Sequence, residues 1–292
     1  LGYKEENKKT TIVNTVNSIW TANNLPLKEE FAVKANKYYD TEIYDVDFKD
    51  KKTIEEINGW ISDKTNGKIN NYLSEISPET FMYIFNSLYF KGKWRDEFNE
   101  SNTRDEEFYL KDGSTVTVDM MNAERQITCF DDDEVTAGKL NYYGCSMQII
   151  IPKGDIDDYI GSLDYSKIQS LEERSEYLKA KIKLPKFTYE SEYSFTETLK
   201  ELGINEAFNP DEADFEGITD QDTLYVDDIS QKCFISLDEK GTEAAALTSV
   251  AICGSAKPPE KIVELYADRP FIYVIKDSRT GSIMFAGVVY KP

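Results

Sequence analysis

The sequence predicts an α+β fold. Strand-like runs outnumber helical ones, and the two kinds are mixed irregularly rather than alternating as βαβ units. The chain also has the material for a core: of 292 residues, 40% are hydrophobic and 13% aromatic, which excludes a disordered chain. No internal repeat, Pro/Gly-rich linker or low-complexity tract divides it, so one domain over 1–292 is expected.

The elements follow in order. In "TIEEINGWISDK" (53–64), Ile54, Ile57, Trp60 and Ile61 fall on one helical face. Thr53 and Glu56 have capping-box spacing, and Asn66-Gly67 supplies a stop. "FMYIFNSLYF" (81–90) is apolar at both alternations and predicts a central strand covered on both faces. Asn86 interrupts it, and a buried amide without partners costs about 1–3 kcal/mol. "STVTVDMM" (114–121) alternates like a half-exposed strand. "SFTETLKELG" (194–203) predicts a second helix, with Ser194 and Glu197 at its start and Gly203 at its end. "CFISL" (233–237) reads as a strand, and "FIYVI" with "SIMFAGVV", joined by "KDSRTG", as a buried C-terminal hairpin.

Several function classes are excluded. With no histidine, the chain cannot build Ser-His-Asp, Cys-His or HExxH machinery. Cys129, Cys145, Cys233 and Cys253 lack the spacing of a zinc site or a dense disulfide scaffold. The acidic runs at 131–134 and 209–222 lack calcium-loop spacing and read as solvated loops, so no metal is expected. There is no Walker A loop, GxGxxG or GxSxG motif, and no cofactor is implied. No apolar run approaches membrane-spanning length. Acidic residues outnumber basic ones 54 to 34, for a formal charge of -20, which repels nucleic acid; by itself it reads first as a source of solubility, and it would also gather basic partners.

One stretch resists an ordinary reading. "EKGTEAAALTSV" (239–250) lies between two strands with no bulky anchor, and almost twenty residues separate Gly241 from Pro259. By composition it is one exposed helical turn. Extended, it places Thr242, Ala244, Ala246 and Thr248 on one face and Glu243, Ala245 and Leu247 on the other. The charge of Glu243 turns its own face to solvent. The opposite face then holds only Thr and Ala, small enough to slide between two existing strands, with Gly241 as the hinge.

In this context "DEKGTEAAALT" (238–248) resembles the hinge of the serpins, serine-protease inhibitors. "TNGKI" (65–69), "NSLYFKGKW" (86–94), "EEFYLKDGSTVTVDMM" (106–121), "LPKFTYESEYSFTETLKELGI" (184–204), "ADFEGIT" (213–219) and "ADRPFIYVIKDSRTGSIMFAGVV" (267–289) stand in that family's order. The resemblance runs from about residue 10 to the end. It implies a large central, mostly antiparallel sheet A, further sheets B and C, packed helices and a mobile reactive-centre loop at about 241–259. The family's opening helices have no counterpart before Leu1. Where the family often carries a histidine on the strand before the hinge, this chain has Gln231, which can bond the central-strand Asn86.

The implied mechanism is a suicide substrate. A protease attacks the loop and forms an acyl-enzyme, the freed hinge inserts into sheet A, and the protease is trapped. The implied hinge comprises Glu239, Gly241, Thr242, Glu243, Ala244, Ala245, Ala246, Leu247 and Thr248. The sheet-opening region comprises Asn86, Trp94 and Gln231. Alignment on the hinge glycine and "PPE" (258–260) puts the scissile bond between Ser255 and Ala256. Val250, Ala251, Ile252, Cys253 and Gly254 would set specificity, and being small and apolar they point to elastase-like or subtilisin-like targets. The partner is then a target protease held covalently. A monomer is expected, with loop–sheet polymers as the alternative, and a secreted or cell-surface location rather than a cytoplasmic one. A carrier or chaperone of the same family is the competing reading.

Overall fold

The alternation of Thr115 to Asp119 becomes the start of the longest strand in the computed structural model, with Val116 and Val118 turned inward and Thr115, Thr117 and Asp119 exposed. The structure describes residues 12–77, 80–220, 224–226, 229–241 and 261–292. Two compact units make up the chain, each discontinuous in sequence. The first holds Val13–Phe90 and Tyr189–Ile235, the second Lys91–Thr188 and Ser236–Pro292.

In the first unit β1 (Ile12–Ala22), α1 (Glu29–Tyr39), β2 (Thr41–Val46), α2 (Lys52–Lys64) and β3 (Met82–Lys91) come first in the chain. Much later come β9 (Phe187–Ser194), α5 (Thr196–Glu201) and β10 (Ser230–Leu237). Among the described residues the sheet has five strands in the order β2-β1-β3-β10-β9. β1 runs parallel to β2, and β3 parallel to β10 with Gln231 opposite Asn86. One face carries a core of Trp20, Val46, Phe48, Phe85 and Phe234 under Ile57 and Ile61 of α2 and Ile69 and Leu73 of the segment that follows. β3 is less covered than its sequence predicts. Phe85 and Ser87 are buried, but Ile84, on the opposite face, is 59% exposed.

The predicted helix at 53–64 is α2, starting one residue earlier. Its capping box does not form: Lys51 is the cap residue, and the Thr53 hydroxyl donates instead to the Asp47 carbonyl at 2.7 Å. The stop is as predicted, with Asn66 and Gly67 at positive φ and the Gly67 N–H donating to the Ser62 carbonyl at 2.7 Å. α5 begins at Thr196 rather than Ser194. It ends at Gly203 (φ 97°), where the Ile204 N–H closes on the Leu199 carbonyl at 2.9 Å.

The second unit contains β4 (Arg104–Tyr109), β5 (Thr115–Asp131), β6 (Val135–Asn141), β7 (Cys145–Pro152), α3 (Ile156–Gly161), α4 (Tyr165–Glu173), β8 (Glu176–Pro185), β11 (Ile262–Tyr266), β12 (Phe271–Asp277) and β13 (Ile283–Val289). Its sheet follows the order β11-β8-β5-β6-β7-β12-β13, with β4 on β5, eight strands among the described residues. β11 on β8 is parallel, and the other registered pairs are antiparallel. β12 and β13 form the predicted C-terminal hairpin. α3 and α4 cover one face, where Ile156, Tyr159, Ile168 and Leu171 meet Val135, Ala137, Ile150, Ile272 and Val274. Among the described residues, Cys129, Cys145 and Cys233 are not joined in disulfides. Among the described residues no acidic, Cys or His cluster could hold a metal ion, and no helix is long and apolar enough to cross a membrane.

Candidate functional site

β10 ends in a two-residue reversal. The Asp238 N–H donates to the Gly241 carbonyl at 2.8 Å and the Gly241 N–H to the Asp238 carbonyl at 3.1 Å, with Glu239 and Lys240 at the tip. The turn thus sets Gly241 antiparallel to Asp238, which follows β10 directly. Gly241 has φ 119°, and a Cβ there would lie 2.2 Å from the Gly92 carbonyl oxygen and 2.7 Å from the Trp94 nitrogen. Only glycine meets both conditions.

Trp94 seats this turn. It is 1% exposed, stacks on Tyr142 with ring centroids 4.0 Å apart, and donates its indole N–H to the Asp238 carbonyl at 3.0 Å. Its backbone N–H donates to the Lys240 carbonyl at 3.1 Å, and that of Phe98 to the Glu239 carbonyl at 2.8 Å. Every carbonyl of the turn therefore has a donor.

Charge locks the tip. Glu239 is buried; its carboxylate accepts from the Thr103 hydroxyl at 2.7 Å and lies 3.5 Å from the Lys186 ammonium. Burial alone would push this carboxyl up. The Thr103 bond, its own backbone and Lys186 outweigh that and hold it below the ordinary range. The neighbouring Asp238 goes the other way, raised by burial against the pull of the Lys240 N–H. Lys240 pairs with Glu100 at 3.0 Å. Thr103, Tyr142 and Lys186 did not emerge from the sequence, since they lie 50 to 140 residues from the turn and carry no local pattern.

A second set lies in the first unit. Gln231 donates its Nε2 to Asn86 Oδ1 at 2.6 Å, and Asn86 donates its Nδ2 to Asn17 Oδ1 at 2.7 Å. Asn17 donates in turn to the Tyr39 carbonyl at 2.7 Å. Three amides thus run in one direction from β10 through β3 to β1. The Gln231–Asn86 bond that the sequence allowed is present, and Asn17 is the partner that sequence reasoning missed. The amide of Asn86 is satisfied on both sides, so the penalty for burying it does not arise.

The remaining hinge positions, Thr242 to Thr248, the specificity positions Val250 to Gly254 and the scissile pair Ser255–Ala256 lie outside the described residues. What is described is β10 paired directly and in parallel with β3, and the tight turn that ends at Gly241.

A family model described as "Serpin (serine protease inhibitor)" matches residues 1–292. An uncharacterized serpin-like protein of Thermococcus kodakarensis is 36% identical over 298 residues, covering 100% of this chain and 69% of its own. Serpin B10 of Bos taurus is 30% identical over 293 residues, with 96% of this chain and 73% of its own covered. Among solved structures, the thermophilic serpin tengpin in its native state superposes with a TM-score of 0.87 at 31% identity, covering 99% of this chain and 75% of that one. Human thyroxine-binding globulin, complexed with thyroxine, also reaches 0.87 at 26% identity, over 98% and 77%.

Proposed function

The chain belongs to the serpin family, and on that premise we propose that it inhibits serine proteases as a suicide substrate. The observation that carries the reading is the direct parallel pair β3–β10, followed in the chain by a reversal at Asp238–Gly241. A strand returning from that reversal runs antiparallel to β10 and hence to β3. It can therefore form ladder hydrogen bonds to both strands at once, where each now bonds the other. Thr242, Ala244, Ala246 and Thr248 on the inward face add little volume to the core.

The chemistry belongs to the target. Its catalytic serine oxygen attacks the Ser255 carbonyl, the Ser255–Ala256 peptide bond breaks, and the Ala256 amine leaves with a proton supplied by the protease. The resulting ester links the protease to the hinge side of the loop. Insertion of that side as a new strand displaces the enzyme before water can cleave the ester. Residues 250–256 hold no Lys or Arg, so shallow or broad primary pockets of elastase-like or subtilisin-like proteases suit them. The protein is its own bait, works as a monomer, and acts in a secreted or cell-surface setting where such proteases are met. Loop–sheet polymers are the side reaction of the same chemistry-free insertion.

A panel of serine proteases scored for an SDS-stable complex tests this. A complex with an elastase-like or subtilisin-like member is expected, with mass spectrometry placing the cut at Ser255–Ala256. Thr242→Arg should convert the inhibitor to a substrate, because insertion would bury an unpaired guanidinium at a cost of several kcal/mol. A cut N-terminal to Thr248, or an undiminished complex with Thr242→Arg, would contradict the reading. The likeness to thyroxine-binding globulin motivates the carrier alternative. In that case the same panel yields no covalent complex with any member.

A further inference from the structure

We propose that Asn99 is an acceptor for N-linked glycosylation, taking an oligosaccharide from a lipid-phosphate-linked donor. The inference rests on the secreted or cell-surface setting proposed above, not on the inhibitory mechanism.

The pattern Asn-x-Ser/Thr, with x other than Pro, occurs once in the chain, at Asn99-Glu100-Ser101. Such a triplet often arises by chance, and in a core or a sheet no transferase reaches it. This one stands at the surface just before β4. Asn99 and Ser101 are exposed, and Glu100–Asn102 form a single 3-10 turn that Asn99 caps. Asn99 Oδ1 accepts from the Ser101 N–H at 3.0 Å and from the Ser101 hydroxyl at 2.8 Å.

Those two bonds decide which way the carboxamide faces. A backbone N–H can only donate, so the atom turned toward it is the oxygen, and the nitrogen lies on the other side. Nδ2, the atom that would carry the sugar, makes no hydrogen bond among the described residues. Asn17, Asn36, Asn58, Asn70, Asn86 and Asn122 differ, for each donates its Nδ2 to an oxygen. The hydroxyl at 101 thus holds the amide oxygen inward and leaves the nitrogen to solvent. Threonine would keep that bond, and alanine would lose it.

The attachment point is anchored on both sides. The Phe98 N–H donates to the Glu239 carbonyl at 2.8 Å, and the Thr103 hydroxyl to the Glu239 carboxylate at 2.7 Å. Glu100 pairs with Lys240 at 3.0 Å. A sugar on Asn99 would therefore stand beside the tip of the turn at 238–241.

The transfer is a substitution at the anomeric carbon of the donor. Nδ2 attacks that carbon, its C–O bond to the phosphate breaks, and the phosphate leaves with the electron pair. The proton from Nδ2 passes to a carboxylate of the transferase. An amide nitrogen shares its lone pair with the carbonyl, so the activated donor and that base are both needed.

Incubating the purified, folded protein with a single-subunit oligosaccharyltransferase and its lipid-linked donor tests the proposal. Peptide mass spectrometry reads the site, and a short Asn-Ala-Thr peptide in the same reaction reports that transfer occurs. One glycan is expected, on Asn99, retained in Ser101→Thr and lost in Ser101→Ala and Asn99→Gln, with all variants melting as the wild type does. With the peptide modified, an untouched Asn99, transfer only after denaturation, or equal transfer to Ser101→Ala would each overturn the proposal. The protease panel reads the unmodified chain, so the two readings fail separately. A panel without any covalent complex would sink the inhibitory reading while Asn99 still takes the sugar, and a covalent complex beside an untouched Asn99 would do the reverse.

Discussion

Gly241 is the residue whose identity the fold constrains most tightly. Its positive φ excludes most side chains, and the atoms a methyl group would meet are backbone, which cannot swing aside. Gly241→Ala should therefore destabilise the protein by about 1–3 kcal/mol, read as a lower urea midpoint at unchanged slope. Glu42 offers a test of charge. Its carboxylate accepts from Tyr44 at 2.5 Å and Trp60 at 2.7 Å and pairs with Lys64, and these partners, Lys64 first, lower its pKa from 4.5 to about 2. A carboxyl depressed in the folded state adds stability above its unfolded pKa and loses it as pH falls through the folded one. The Glu42 contribution is thus full above pH 4.5 and gone below about 2. Because its side chain is 41% exposed, solvent screening reduces the effect, and Glu42→Gln should cost about 1 kcal/mol at neutral pH. The variant's penalty should vanish on an acid titration toward pH 2.

At the scale of elements, the amide chain from Gln231 to the Tyr39 carbonyl links three strands through side chains alone. Asn86→Ala would leave Gln231 Nε2 and Asn17 Oδ1 unsatisfied at once, and a loss of about 1–3 kcal/mol is expected in denaturant titration. The chain joins amides and a carbonyl, and the Cys233 thiol that donates to Gln231 Oε1 at 3.6 Å is pushed up in pKa by burial, so that loss should be the same at pH 5 and pH 8. A penalty that changed with pH would mean that another group had entered the network. This scale also shows what the sequence makes legible. The apolar period of Ile54, Ile57, Trp60 and Ile61 and the Asn66-Gly67 stop predict α2 well, because both signals are local. The strand alternation at 115–119 and the C-terminal hairpin are legible for the same reason. The start signals fail, since a Ser or Thr hydroxyl has several nearby acceptors: Thr53 chose the Asp47 carbonyl, and α5 begins past Ser194. The coverage of β3 is not legible, because an apolar run on both alternations does not reveal how much of the sheet's second face is overlaid. Of the candidate site, Gly241, Trp94, Asn86 and Gln231 were legible through motifs. Lys186, Thr103 and Asn17 were not, because their partnerships exist only once distant segments meet.

For the molecule as a whole, the charge of -20 bears on encounter rather than on fold. Association with a basic protease should slow as salt is raised from 0.05 to 0.5 M, by roughly tenfold for a steered encounter. A rate indifferent to salt would remove steering from the account. The central proposal is of stored free energy: the β3–β10 seam is closed in this structure, and residues 242–248 are proposed to open it and insert as a strand. Thermal melting of the protein before and after proteolysis within residues 250–256 tests that most directly. A cut protein that melts far above the intact one is the expected result, because the inserted strand satisfies two ladder edges and relieves the closed sheet. Equal melting temperatures, or a lower one for the cut protein, would contradict it.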